Sequence, residues 1–74
     1  MSDVARNSTD FSPRRLADLR RERGLTQRAL AQAAGLSQAL VAELERGKHP
    51  PSKQSKDKIA AALGIDPNAL DGSQ

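Results

Sequence analysis

The sequence predicts an all-α, compact domain of five helices, and three observations carry that expectation. First, the apolar stock is nine Leu and twelve Ala against two Ile, two Val and one Phe. Leu and Ala are strong helix formers, and strand-favouring residues are scarce. Second, the apolar residues recur at helical spacing in short stretches, each opened by Ser, Thr or Asp and most of them closed by Gly, which are the start and stop signals of helices. Third, 74 residues make one small domain, and a core of this size stabilises it only marginally unless the helices pack closely.

Residues 1–11, MSDVARNSTDF, have no periodicity and read as a flexible arm. Phe11, the only aromatic residue, is placed to tuck against the fold. The domain proper is expected over residues 12–71, with 72–74 as a tail. Ser12 caps the first helix and Pro13 takes its first position. Leu16, Ala17 and Leu19 form its inner stripe, Arg20 can turn inward one turn beyond Leu16, and Gly24 ends it. The second helix is capped by Thr26 and stopped by Gly35, with Leu25 and Leu30 spaced as a hydrophobic staple. The third repeats this arrangement between Ser37 and Gly47: Val41 and Leu44 face inward, with Leu40 at the margin. The segment KHPP that follows cannot be helical. The fourth helix runs from the Ser52 cap to Gly64 on a stripe of Ile59, Ala62 and Leu63. Its first turns, KQSKDK, are polar and are expected to project into solvent or toward a partner. Asp66, Pro67 and Leu70 mark a short fifth helix.

Composition excludes several functions. There is no cysteine, so neither a disulfide framework nor a thiolate metal site can form. The single histidine, His49, stands in a Pro-flanked loop and reads as a stray side chain rather than a ligand, since metal sites need several donors together. No paired carboxylates, Ser/His/Asp set, metal cluster or phosphate loop can be assembled, so no enzyme is expected, nor any cofactor. No apolar run approaches the ~20 residues that span a bilayer, and the polar first dozen residues do not read as a signal peptide. A soluble, cytoplasmic protein without membrane association is the expectation.

The net charge of +3 is unevenly spread. Residues 14–28 hold six arginines against Asp18 and Glu22, and residues 46–58 hold Arg46, Lys48, Lys53, Lys56 and Lys58 against Asp57, each block netting +4. The stretch between carries only Glu43 and Glu45. The blocks read either as ordinary solvated helix faces or as two phosphate-contacting zones around a segment that reads something else.

The second and third helices are short, apolar on one face and joined by about four residues that include Gly, which is the helix-turn-helix pattern. In such a pair the second helix enters the major groove of DNA while the first lies across the backbone. With Val41 and Leu44 holding the third helix to the body, its outer face holds Gln38, Ala39, Ala42 and Glu43, with Arg46 at the far end.

At this point the chain resembles a known family. LRRERGLTQRALAQAAGLSQALVAELERGKHPPS…IAAALGI is similar to the lambda-repressor/Cro-like (Xre-type) helix-turn-helix DNA-binding domains over residues 16–70. The matching pieces are LR with GLTQ, LA at 30–31, GLS at 35–37, ERGK at 45–48 and LGI at 63–65. The resemblance implies a compact five-helix lambda-repressor-like fold. It implies that Gln27 bonds a phosphate and braces Gln38, and that Gln38 meets adenine N6 and N7 with its amide donor and acceptor. Ala39, Ala42 and Glu43 match positions where the family varies its base contacts. Ala39 or Ala42 suits a thymine methyl. Glu43 either accepts from cytosine N4 or stands as a solvated residue that repels phosphate. Arg20 and Glu45 match a structural ion pair. Phosphate contacts are expected from Arg28, Arg46, Lys48 and Lys53, and from the free N–H groups opening the second and fourth helices.

Two positions depart from the family pattern. Lys53, Lys56 and Asp57 replace the leucines usual early in the fourth helix, which weakens the expected core there. Leu40 replaces a small hydroxyl residue near the DNA backbone. The implied function is a sequence-specific double-stranded DNA-binding regulator, a repressor occupying an operator, and the brevity of the chain suits a minimal phage or plasmid regulator. The alternative is a protein-binding antagonist or antitoxin-type module on the same fold. With little apolar surface near Ile65 and Leu70, a monomer in solution or a weak dimer on DNA is expected.

Overall fold

The computed structural model describes residues 11–72; the rest of the arm, residues 1–10, and the last two tail residues lie outside the described residues. Four α-helices follow one another: α1 (Pro13–Glu22), α2 (Gln27–Ala34), α3 (Gln38–Arg46) and α4 (Lys53–Leu63). A one-turn 3-10 helix (Pro67–Leu70) completes the domain. Each of these elements starts where a side chain satisfies a backbone donor. Ser12, Thr26, Ser37 and Ser52 accept from the amides of Arg15, Ala29, Leu40 and Ser55, and Asp66 accepts from that of Asn68. The turn between α2 and α3 is closed by Gly35 at φ 71°. That left-handed conformation lets Leu36 N–H reach back to the Ala31 carbonyl at 2.8 Å.

The expectation of a fifth α-helix is corrected. Residues 67–70 bond with three-residue spacing: Ala69 N–H donates to the Asp66 carbonyl at 2.8 Å and Asp71 N–H to the Asn68 carbonyl at 3.1 Å. Pro67 supplies no donor, and Asp71 is already extended (φ −83°, ψ 147°), where it pairs with Phe11 in an isolated antiparallel bridge. Too few residues remain for an α-turn, and the tighter helix spans the gap. Among the described residues there is no strand beyond this bridge.

Leu16, Leu30, Val41, Leu44, Ile59 and Leu70 are fully buried. One comes from each of α1, α2, α4 and the 3-10 helix, and α3 supplies two. The small side chains of Ala31, Ala34 and Ala60 lie in the same cluster and let the helices approach closely. α2 packs on α3 and α4, α1 packs on α3, and the 3-10 helix closes over α4. Phe11 and Leu40 are half-buried against the core, so Leu40 packs inward.

The polar start of α4 does not simply project. Lys53 is exposed and pairs with Asp57 at 3.5 Å, but Lys56 folds back and donates to Asp71 Oδ1 at 2.6 Å, with the two side chains only 22% and 9% exposed. A charge pair therefore closes the chain end over the region where the resemblance implies leucine. Two arginines, one in α1 and one just past its end, act in the same direction. Arg15 Nε donates to the Ala69 carbonyl, and Arg23 Nε donates to the Leu63 carbonyl at 2.7 Å, satisfying acceptors at the ends of the 3-10 helix and α4. Removing Lys56 leaves a mostly buried carboxylate unpaired. Lys56→Ala should lower the unfolding free energy by about 1–3 kcal/mol, measured by urea denaturation. A Lys56→Ala, Asp71→Ala double variant should recover part of that loss.

Candidate nucleic-acid interface

α3 is held by its inner face. Val41 and Leu44 are fully buried, and Glu45, in the last turn, is the polar anchor. Arg20 of α1 donates to it twice, Nε to Oε2 at 2.6 Å and Nη2 to Oε1 at 3.1 Å. The third nitrogen of the guanidinium, Nη1, donates to the Leu25 carbonyl in the α1–α2 turn at 2.8 Å. Gln27, the first residue of α2, donates Nε2 to Glu45 Oε1 at 3.1 Å. One carboxylate thus joins α1, α2 and α3, with the Arg20 and Glu45 side chains 11% and 7% exposed.

Burial pushes the Glu45 carboxyl up. The hydrogen bonds from Arg20 and Gln27, with the charges of Arg20 and Arg21, pull it down more strongly, and it lies below its ordinary value. The Arg20 guanidinium moves upward because the hydrogen bond to Glu45 outweighs the opposing effect of burial.

This network changes the place of Gln27. The expected brace between Gln27 and Gln38 is absent from the hydrogen bonds of the described residues, and the Gln27 amide turns to Glu45 instead. The physical reason is charge: a carboxylate is a stronger acceptor than a neutral amide. Gln38 and Ala39 are exposed at the start of α3, while Ala42 and Glu43 are half-buried. Arg28, Arg46, Lys48 and Lys53 are all exposed.

The two basic blocks are not equivalent. Arg15, Arg20 and Arg23 of the first block are engaged with backbone carbonyls or Glu45, and Arg21 pairs with Asp18 at 3.7 Å. Half of that block's arginines are thus spent on contacts within the fold, while Arg14 and Arg28 stay exposed. The sequence carried no signal for this, because the acceptors of Arg15 and Arg23 are main-chain carbonyls more than thirty residues away.

One contact beside the interface was also missed. The His49 ring lies 3.3 Å from Glu43, so the loop histidine touches a residue of the exposed α3 face. Its distance of six positions from Glu43 matches no helical spacing, and only the turn at Gly47 brings it back. Among the described residues no group of His, Cys, Asp or Glu could hold a metal, and no helix is long and apolar enough to cross a membrane.

Comparison with known proteins agrees with this geometry. Residues 14–71 match the family model described as a helix-turn-helix domain. The chain is 40% identical over 60 residues to an immunity repressor protein of Bacillus phage phi105, covering 81% of this chain and 42% of that repressor. Among solved structures, the restriction-modification controller protein C.AhdI from Aeromonas hydrophila is 40% identical with a TM-score of 0.76, covering 78% of this chain and 88% of the controller. The P22 c2 repressor, solved with a synthetic operator, superposes with a TM-score of 0.79 at 23% identity over 89% of this chain and 100% of that one, a likeness of fold. The chain spans less than two thirds of the length of the curated relatives it matches.

A carboxyl held below its unfolded value contributes stability that is fully present above that unfolded value, about 4.3 for Glu, and lost as pH falls through the folded value. The urea midpoint of the wild type should therefore drop on going from about pH 5 to pH 3. Glu45→Gln should start lower at neutral pH and lose less on acidification. Equal losses in the two proteins would count against Glu45 as the linked group.

Proposed function

The chain belongs to the helix-turn-helix domain family, and from that premise we propose that it is a sequence-specific double-stranded DNA-binding transcriptional regulator that acts as a repressor. The observation that carries this is α3 itself. Its inner face is pinned by Val41, Leu44 and the Arg20–Glu45–Gln27 network, while Gln38 and Ala39 at its start are exposed, as are Arg28 on α2 and Arg46 and Lys48 at the far end of α3. A rigid helix with a short polar end and cations around it suits entry into the major groove.

In this reading Gln38 supplies the paired donor and acceptor that match adenine, Ala39 and Ala42 supply apolar contact to a thymine methyl, and Glu43 borders the bases. Arg28, Arg46, Lys48 and Lys53 meet phosphates. Gln27 keeps one Nε2 proton on Glu45 and offers the other to a phosphate. That couples the positioning contact to the anchor of α3. The names of the phage repressor and the restriction-modification controller support the regulatory role. The burial of Leu70 and the partial burial of Ile65 in the core favour a monomer in solution, because little apolar surface is left there for pairing. Sedimentation velocity showing a stable dimer would defeat that part.

Gel shifts on random DNA at several salt concentrations test the reading first: binding should weaken steeply as salt rises. Weak, salt-indifferent binding would favour a protein-binding module instead. On a site selected from random DNA, Gln38→Ala should cost about 1–3 kcal/mol and relax specificity at one A·T pair. Lys48→Ala should weaken all sequences alike and reduce the salt slope by about one unit.

A further inference from the structure

The loop after α3 holds the chain's one histidine, and two atoms of one chemical kind face its ring. His49 Nδ1 lies 3.2 Å from the Pro50 carbonyl oxygen, and Nε2 lies 3.3 Å from Glu43 Oε1. A peptide carbonyl and a carboxylate accept hydrogen bonds and donate none. A neutral imidazole has one N–H and one bare lone pair, so it serves one of these partners and turns a lone pair toward the other. The imidazolium has two N–H donors and serves both. Only the charged ring donates to both partners at once, and its contact with Glu43 is then an ion pair.

The surroundings leave this pair as the local balance of charge. The ring shares a cleft of about 330 Å³ with Phe11, Pro13, Gly47, Lys48 and Pro50. Of the described residues around it, Glu43 from α3 and Lys48 from the loop are charged. Phe11 and the α1 residue Pro13 are not. Lys48 opposes a positive ring and Glu43 favours it. Both partners keep access to water, with side-chain exposures of 47% for His49 and 36% for Glu43. Glu43 shares the outer side of α3 with Ala39 and Ala42, where a free carboxylate meets the phosphate backbone with the wrong sign.

We propose that His49 is a proton-gated positioning residue for the recognition face: protonated, it draws Glu43 toward the 47–51 loop and cancels its charge, and neutral, it releases the carboxylate as an anion on the surface that meets DNA. The proposal rests on the DNA-binding reading above. Histidine changes charge between about pH 5 and 8. The protonated pair is the form that favours the complex, so DNA affinity falls as pH rises through that range.

The test is a fluorescence-anisotropy titration of a random-sequence duplex at fixed salt, at about pH 5.5 and pH 8, chosen to bracket histidine titration. Wild-type affinity should fall about fivefold across the range, the size that the coupling of one exposed ion pair allows. Glu43→Gln and His49→Gln should both be flat with pH, the first at the higher affinity and the second at the lower. In the free protein, the Glu43 carboxylate carbon resonance should shift in step with the His49 ring as pH changes, and should lose that step in His49→Gln. A flat wild type overturns the proposal. Full pH dependence surviving in Glu43→Gln overturns it too, because the ring would then act on phosphate directly. If binding is salt-dependent but indifferent to pH, only the role of His49 falls. If no salt-dependent binding occurs at either pH, the DNA reading itself falls.

Discussion

The Glu45 carboxylate, near the C-terminal end of α3, is the point on which the rest of the arrangement depends. It takes two hydrogen bonds from Arg20 of α1 and one from Gln27 of α2. Arg20 in turn closes the α1–α2 turn through the Leu25 carbonyl. A carboxylate taken out of water is costly unless its lone pairs are used and its charge is matched, and both conditions are met by side chains from different helices. The orientation of α3 is therefore tied to α1 and α2 through directional bonds, whereas Val41 and Leu44 contribute burial, which has no direction.

That anchoring sorts the chain's cations into two groups. Arg15, Arg20 and Arg23 bond partners within the fold, where the planar, multi-donor guanidinium suits carbonyl and carboxylate acceptors. Arg28 on α2, and Arg46 and Lys48 at the C-terminal end of α3, remain exposed. Net charge alone does not distinguish these uses, and the basic stretch in α1 looks in sequence like a binding surface when much of it is scaffold. The outward-facing part of α3 is in contrast poor in charge. Its one carboxylate, Glu43, is answered by His49.

The contacts between residues 11–12 and 70–71 show how a domain this small is completed with few further apolar residues. Ser12 N–H bonds the Leu70 carbonyl at 2.9 Å, Phe11 pairs with Asp71, and Lys56 holds the Asp71 carboxylate. Leu70 is sealed beneath this clasp with no exposure. Polar contacts here do the enclosing at a place where the resemblance implied leucines. They also reduce the apolar surface left near the 3-10 helix.

The sequence by itself determined everything governed by neighbours within a few positions. The four α-helices start at Ser12, Thr26, Ser37 and Ser52 because a hydroxyl there reaches an amide three residues on. They stop at or beside glycines that alone adopt a left-handed conformation cheaply, and their inner faces follow from helical period. The Arg20–Glu45 pairing and the roles of the outward-facing positions of α3 were readable only because the resemblance supplied the long-range match. What the tertiary structure alone decided lies between residues far apart in the chain. Asp71 pairs with Phe11, so residues 67–70 tighten to a 3-10 turn; Gln27 prefers a carboxylate to Gln38; two arginines find carbonyls across the domain; and His49 returns to Glu43. A helix cap is settled by local geometry, whereas the partner of a long polar side chain depends on which acceptor the packed helices bring within about 3 Å of it, and no local pattern encodes that.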